Sequence, residues 1–469
     1  MKILFVITAD IYVRNYLRTG ALTALVDNHE CDFVFSSQIS LADEAANHPR
    51  FKGFFDHDYV AERAHTLLSD ILMWRYRARS RTFLYRWMRN AQWPHFADSE
   101  GFRSRVGKVL KWLPGAMANR RGILVPVLGN RLVFWVASRI LKRQATINPH
   151  LTDLFRSGAY DLVVTPSSSY GSTATDIARL GKIHKVATLC LIDNWDNLTS
   201  KTVFWARPDF LGVWGPQSVE HAIAIHGFER RQVFSIGTPR FDAYFSDKSP
   251  REIESPYLFP YVLFVGSAMP FDEEAAVRRL DRALSEMTNQ PAGLKLVYRP
   301  HPWRQKARTQ VSGLPESLQN TVIDYQSQAA LDLHPNGDSG GRFQPDLAYY
   351  PALLGGAKVV IGPMTTMLLE ATLCGTRVIA LAYDDGIHPN TSRKYFVHFD
   401  GAERIHGFTF CENPLDVGDQ LILALEAGGL ERAETISSAS QFIHKPTPDY
   451  GSALLKLAEH AFENCRQTN

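Results

Sequence analysis

Short apolar runs, each closed by a turn residue, alternate along the chain with stretches of helical periodicity, which is the pattern of a parallel sheet covered on both faces. Six runs occupy the first half: KILFVIT (Lys2–Thr8), CDFVF (Cys31–Phe35), DLVVTP (Asp161–Pro166), VATLCLID (Val186–Asp193), FLGVW (Phe210–Trp214) and VFSIG (Val233–Gly237). Five more follow: YVLFVG (Tyr261–Gly266), LKLVYRP (Leu294–Pro300), TVIDY (Thr321–Tyr325), KVVIG (Lys358–Gly362) and RVIALAYDD (Arg377–Asp385). Between the two series lies SDKSPREIESPYLFP, with three prolines, alternating charges and no periodicity. The fold class predicted is α/β with two Rossmann-like domains, the first over 1–245, a linker over 246–258 and the second over 259–445. A C-terminal helix over 446–469 is long enough to cross back to the first domain. Ligands of open parallel sheets bind beyond the carboxyl ends of the strands, so the residues that follow each run carry the functional information.

Composition narrows the class. The chain has 469 residues, 45% hydrophobic and 21% charged, which suits a soluble two-domain protein and excludes disorder or a disulfide scaffold. Its five cysteines, Cys31, Cys190, Cys374, Cys411 and Cys465, form no CxxC pair, so they read as free thiols of a reducing cytosol and no structural zinc or other metal site is expected. The apolar run after Met1 is interrupted by Asp10 and Arg14 and reads as a buried strand rather than a signal peptide. The nearest approach to a membrane span, Gly122 to Leu141, contains Pro126, Asn130, Arg131 and Arg139 and reads as an amphipathic or core helix. A cytoplasmic protein is expected.

The formal charge of +3 conceals an uneven distribution. Residues 72–143 carry sixteen Lys or Arg against only Asp98 and Glu100, and the remainder carries 35 against 46. Trp74, Tyr76, Phe83, Tyr85, Trp87, Trp93, Trp112 and Trp135 are interleaved with the basic residues. This helical, basic insertion in the first domain suits docking to an anionic membrane surface, with the rings at headgroup depth. An arginine-rich helical hairpin whose aromatics pack on the sheet fits the same residues. Single-stranded nucleic acid asks for similar side chains, but no nucleic-acid fold motif accompanies them, and no nucleic-acid partner is expected.

The stretch IGPMTTMLLEATLCGTRVIAL, Ile361 to Leu381, passes from a strand through a small-polar turn at Thr365 and Thr366 into a helix that carries Glu370 and stops at Gly375. The first turn of such a helix offers unpaired N–H groups and a positive dipole end to a diphosphate, and Glu370 lies one turn further in, in reach of a ribose. Thr365, Thr366, Glu370, Ala371, Gly375, Val378 and Ile379 together resemble the donor-binding domain of GT-B glycosyltransferases. Upstream, Arg299, His301 and Pro302 in LKLVYRPHPW resemble the Arg-Pro-His-Pro turn of polyol-phosphate transferases and bacterial capsule transferases, in which the histidine contacts the nucleotide phosphate. Arg299 adds a bidentate donor for the same group. Gly266 and Ser267 follow the first strand of the same domain and bring backbone donors toward a phosphate. Asp384 and Asp385, after the RVIAL strand, can bind donor-sugar hydroxyls.

The first domain then holds the acceptor. LIDNWDNLTSK concentrates Asp193, Asn194, Asp196, Asn197 and Lys201 after a strand, more polar groups than a turn needs. It resembles a Trp-Asp-Asn-Leu-Thr-Ser-Lys stretch of bacterial GT-B-like envelope enzymes, in which Gly-x-Pro-Arg-Phe-Asp follows some forty residues later. Here GTPRFD supplies Arg240. Asp10, Asp193 and Asp196 are the candidates for the base that takes the acceptor hydroxyl proton, and Ser168, in the Ser-Ser-Ser turn, lines the acceptor side. The retaining pattern of this fold, a glutamate eight positions before Glu370, is absent because that position is Gly362, which favours inversion. The resemblance implies no cofactor and no metal, with helix dipole and basic side chains doing the work of a divalent ion.

The reading is therefore a bacterial GT-B glycosyltransferase that moves a sugar from a nucleotide-activated donor to a lipid-linked or oligosaccharide acceptor of the cell envelope, peripheral on the inner face of the cytoplasmic membrane. Polyol-phosphate transfer, a nucleotide-sugar epimerase of the non-hydrolysing type, and a catalytically silent nucleotide-sugar-binding partner of an envelope assembly complex remain the alternatives.

Overall fold

The computed structural model describes residues 1–96, 100–118, 121–167, 171–246, 254–288, 291–301, 317–333, 347–388 and 393–468. The chain forms two compact units, Met1–Arg240 with Gln441–Asn469, and Phe241–Ser440. The first unit is built on seven parallel strands: β1 (Lys2–Ile7), β2 (Glu30–Ser36), β3 (Phe51–Phe55), β4 (Leu162–Ser167), β5 (Ala187–Ile192), β6 (Phe210–Val213) and β7 (Val233–Ser235). They are ordered β3-β2-β1-β4-β5-β6-β7. β1 shows why its run is apolar throughout. Ile3, Phe5 and Ile7 pack on one face with Leu454 and Leu457 of the terminal helix Tyr450–Thr468, while Leu4 and Val6 pack on the other with Leu151 and Ile177. A strand buried on both faces has no polar side to display.

The second unit carries six parallel strands, β8 (Tyr261–Val265), β9 (Lys295–Arg299), β10 (Thr321–Ile323), β11 (Val359–Pro363), β12 (Arg377–Leu381) and β13 (Phe408–Cys411), ordered β10-β9-β8-β11-β12-β13. Each of the eleven apolar runs contains a strand. Two strands were not expected from such runs. β3 is an edge strand interrupted by Lys52 and by Gly53 at φ +128°, and β13 is an edge strand that alternates as FTFC; neither is buried on both faces, so neither reads as an apolar run.

In both sheets the strand order reverses direction beside the first strand, between β1 and β4 and between β8 and β11. These are the topological switch points where loops diverge and leave room for a ligand. The chain passes into the second unit at Arg240, so GTPRFD is divided: Arg240 stays with the first unit, and the short helix Asp242–Phe245 that follows belongs to the second.

Residues between β3 and β4 form helices Tyr59–Tyr76, Arg81–Asn90, Phe102–Ala118, Arg121–Leu128 and Arg131–Gln144. The stretch Gly122 to Leu141 is two helices rather than one. Gly129 leaves no room for a side chain, since a Cβ there would stand 2.5 Å from the Trp74 ring, and Asn130 caps the second helix by accepting from the Leu132 N–H. The indoles of Trp74, Trp87, Trp93 and Trp112 make a continuous row, with ring centroids 4.7, 5.5 and 4.6 Å apart in turn, which joins three of the helices internally. Most of the interleaved aromatics thus pack inside the insertion, and Trp135 is the exception, standing in solvent.

Candidate functional site

The second unit gathers its candidates around the β8–β11 switch point. The N–H of Gly266, just past β8, donates to the carbonyl of Arg299 at the end of β9 (2.8 Å). A Cβ on Gly266 would lie 2.8 Å from the His301 nitrogen, so only glycine lets the two strand ends close up. The next N–H, of Ser267, donates to Glu273 (2.9 Å), whose other oxygen accepts from the Tyr298 hydroxyl (2.7 Å). Glu273, buried at the start of helix Glu273–Glu286, therefore locks the Gly-Ser turn onto β9. The sequence reading had not singled it out; its signal was the Asp-Glu-Glu that opens that helix.

Arg299 is the most telling side chain of this edge. It is 5% exposed, donates to the Tyr350 hydroxyl at 2.6 Å, lies over that ring, and leaves its buried Nε without a partner. Among the described residues no carboxylate stands within ion-pair distance of it. A buried guanidinium is costly to leave without an anion, which makes the position a candidate for one. Facing it across the switch point, Thr365 caps helix Thr366–Leu373 with no bond from its own side chain, and neither Thr365 nor Thr366 has its hydroxyl engaged among the described residues. In its first turn the Leu368 N–H donates to the Thr365 carbonyl (3.1 Å), which leaves the N–H groups of Thr366 and Met367 for a ligand.

Two other predicted donor residues are committed to the protein. Glu370 is buried and accepts from the Tyr244 hydroxyl (2.8 Å). Asp385 accepts from the backbone of Asp272, Ile387 and His388 and from the His388 ring (2.6 Å). Burial alone would raise its carboxyl, but the His388 and backbone hydrogen bonds prevail and hold it below its ordinary value. Asp384 closes an Asx turn on the Gly386 N–H. Asp384 and Asp385 thus shape the loop after β12. Pro302 and Ser168 lie outside the described residues.

In the first unit, Asp193 ends β5 in a buried polar network. Its two oxygens accept from the side-chain amides of Asn15 (3.4 Å) and Asn194 (3.1 Å), and the oxygen of Asn15 accepts in turn from Arg14 (3.0 and 3.1 Å). Arg14, Asn15 and Tyr16 are buried on a single π-helical turn, Val13–Leu17, a geometry that often accompanies functional sites. Burial pushes the Asp193 carboxyl up from its ordinary value, against the nearby cations of Arg240, Arg14 and Lys201 and the Asn15 hydrogen bond. Asn197 in the same loop is wholly buried, and neither atom of its amide finds a partner among the described residues. The basic insertion braces this loop, with Ser80 and Arg86 donating to the carbonyls of Thr199 and Ser200.

The structure does not bring the three predicted acids together in one role. Asp196 is closed into a contact with Lys201 (3.3 Å) and Ser200 (2.7 Å). Asp10 accepts from the N–H groups of Ser40 and Leu41 and from the Ser40 hydroxyl, so its carboxylate ties down the loop after β2.

A further cluster at the carboxyl edge escaped the sequence reading. Ser36 at the end of β2 is 3.0 Å from one nitrogen of His57, whose other nitrogen is 3.1 Å from Glu62. Glu62 also accepts from the N–H and hydroxyl of Ser172. Burial opposes ionisation of Glu62, yet the His57 and Ser172 hydrogen bonds draw it down to about 2. Asp176 nearby is pushed up to about 7 by burial, against the Asn148 N–H and Arg179. Positions 36, 57, 62, 172 and 176 share no motif spacing; only the adjacency of β1, β2, β3 and β4 assembles them. Among the described residues no three His, Cys, Asp or Glu side chains gather as a metal-ligand set.

No protein-family model matches the chain, and no curated protein sequence does. Among solved structures it is similar to S. aureus MnaA in complex with UDP, with a TM-score of 0.53 at 10% identity over 99% of this chain and 97% of that one. It is also similar to the UDP-GlcNAc 2-epimerase of Neisseria meningitidis bound to UDP-GlcNAc, with a TM-score of 0.50 at 10% identity over 99% and 100%. Two parallel Rossmann-like sheets matched end to end by these structures define a GT-B fold.

Proposed function

We propose that this protein is a nucleotide-sugar enzyme, a metal-independent inverting glycosyltransferase that binds its donor on the second unit. The observation that carries this reading is Arg299, buried with no carboxylate in ion-pair distance among the described residues, beside the Gly266–Ser267 turn and the Thr366 and Met367 N–H groups that begin helix Thr366–Leu373. A diphosphate supplies the charge that Arg299 lacks and acceptors for the unpaired N–H groups. His301 extends the phosphate side, and Glu370 with Asp384 and Asp385 border the ribose and sugar. The nucleotide ligands of the two fold neighbours support a donor of this class.

Transfer breaks the bond between the anomeric carbon and the diphosphate oxygen, whose developing charge Arg299 and the helix end stabilise. The acceptor hydroxyl oxygen forms the new bond and its proton passes to a carboxylate. Asp193 is suited to that step, because burial raises its carboxyl above its ordinary value and so makes it a stronger base. Asn15, Asn194, Asn197, Lys201 and Arg240 position it and the acceptor, which we take to be a lipid-linked or oligosaccharide envelope glycan at the cytoplasmic membrane face.

A second reading, epimerisation of the nucleotide sugar, is favoured by the end-to-end likeness to a UDP-GlcNAc 2-epimerase. Thermal-shift measurements with UDP, GDP, CDP, CMP and dTDP test the donor site, and stabilisation by none of them would remove its basis. Incubating the preferred nucleotide sugar with and without acceptor separates the rest. Appearance of an epimer by NMR selects the epimerase, acceptor-dependent release of nucleoside diphosphate selects the transferase, and binding without either selects a silent binding partner.

A further inference from the structure

The internal row of indoles leaves the outer helices of the insertion with their apolar residues turned to solvent. On helix Phe102–Ala118 the exposed apolar residues are Phe102, Val106, Leu110 and Leu113, spaced by four, four and three residues, which is one continuous face of an α-helix. Phe102 is 81% exposed. On helix Arg131–Gln144, Ala137 and Leu141 face the protein, while Leu132, Val136 and Ile140 form a second exposed row, with Leu132 at 85% and the neighbouring Trp135 at 59%. A water-soluble surface carries apolar residues singly; two helical rows of them on one insertion mark a surface that is covered in use.

The charge around these rows identifies what covers them. Arg103, Lys111, Arg131 and Arg143 are exposed and have no carboxylate within ion-pair distance among the described residues. Arg139 lies over the Trp135 ring at 3.7 Å, an arrangement that keeps a cation and an amphipathic ring at the same depth. Arginines earlier in the insertion are used differently, Arg75 and Arg79 donating to the carbonyls of Gly129 and Ile225 and lying over Phe134 and Tyr76. The first half of the insertion is thus tied into the rest of the first unit, and the second half displays cations bordering apolar rows. Nucleic acid would require exposed stacking rings, whereas these rows are mainly aliphatic.

We propose that helices Phe102–Ala118 and Arg131–Gln144 lie in the plane of an anionic bilayer, burying the Phe102/Val106/Leu110/Leu113 and Leu132/Val136/Ile140 rows among the acyl chains while Arg103, Lys111, Arg131 and Arg143 hold the lipid headgroups. The insertion rests on the surface rather than crossing it: among the described residues no single helix is long and apolar enough to span, and Gly122–Leu128 with Arg131–Gln144 reach the required length only as a pair bent by 102°. This deepens the membrane part of the proposed function and rests on that reading only for the direction from which an acceptor arrives. The four cations contribute a salt-sensitive attraction and the apolar rows a salt-resistant one.

The test is co-sedimentation of the full chain with vesicles of phosphatidylcholine alone and of phosphatidylcholine containing about one third phosphatidylserine. Binding to the mixed vesicles that weakens with salt, and about fivefold per charge in Arg103→Gln and Arg131→Gln, is expected. Leu110→Glu with Val136→Glu should abolish binding even at low salt while leaving the circular dichroism and melting temperature as they are, because both side chains are already in water. Equal binding to both vesicle types, no binding to either, or undiminished binding by the Leu110→Glu/Val136→Glu variant would overturn the proposal. So would a dimer by light scattering that this variant dissolves, since the rows would then cover a second copy. No nucleotide is present in the assay, so its outcome and that of the donor-site reading are independent.

Discussion

Gly266 and His301 meet where β8 and β9 end, so closely that a Cβ on the glycine would stand 2.8 Å from the histidine's backbone nitrogen. The atom would also lie 2.7 Å from Glu273, the residue that holds the Ser267 N–H. Backbone cannot yield as a flexible side-chain end does. Gly266→Ala is therefore expected to cost about 1–3 kcal/mol in stability and to weaken nucleotide binding more than tenfold. Chemical denaturation and a nucleotide titration check the two effects separately, and an alanine variant with unaltered affinity would show that the turn does not touch the ligand.

Arg299 gives the opposite balance. It is buried with no carboxylate in ion-pair distance among the described residues, and such a cation destabilises the ligand-free protein, so Arg299→Met is expected to melt no lower than the parent in the absence of ligand, and to lose the stabilisation that a nucleoside diphosphate confers. Paired melting curves with and without the nucleotide decide it. A large drop in the ligand-free melting temperature would mean that Arg299 is structural.

Asp193 and Asn15 predict a pH effect with a definite sign. Asp193→Asn should lower acceptor-dependent turnover at least about 100-fold with nucleotide binding intact. Asn15 donates to Asp193 and holds its carboxyl lower than burial alone would leave it. Removing that bond in Asn15→Ala raises the carboxyl further, so the acid limb of the pH–rate profile should move to higher pH. A profile that stays in place separates Asn15 from the base.

Glu62 and Asp176 should make opposite contributions to stability as pH changes. Glu62 is held at about 2 against an ordinary 4.5, so its contribution is present above 4.5 and lost as pH falls toward 2. Asp176 is held at about 7 against 3.8, so the folded state binds a proton that the unfolded state has released, and stability falls as pH rises from 3.8 to 7. Asp176→Asn is expected to match the parent near about pH 4 and to exceed it by about 1–3 kcal/mol near about pH 8. Urea midpoints across that range check this, and parallel curves for variant and parent would count against it.

Much of this was legible in the chain. Eleven apolar runs foretold eleven of the thirteen strands among the described residues, because a parallel strand buried on both faces leaves a run that no neighbour is needed to interpret. The edge strands β3 and β13 were illegible because Lys52 and Gly53 interrupt the first and Thr409 the second, so neither leaves an unbroken apolar run. Gly266 and Thr365–Thr366 stood out in the sequence because each comes just after a strand, and Arg299 because it ends one; the strand order decides that these strand ends lie side by side. Glu370, Asp10 and Asp385 carried the right chemistry for a ligand, but a side chain's partner is set by three-dimensional neighbours, and theirs are Tyr244, Ser40 and His388.

Local sequence could thus declare which segments are buried, where each strand ends and which residues with useful chemistry stand there, since burial and chain reversal are written in residue type within a few positions. It could not declare which of those residues stay free for a ligand. The bringing together of Ser36, His57, Glu62 and Ser172, the seating of Arg299 against Tyr350, and the turning inward of the indoles so that aliphatic rows face outward all depend on contacts between distant segments. Such contacts exist only once the sheet order has been chosen.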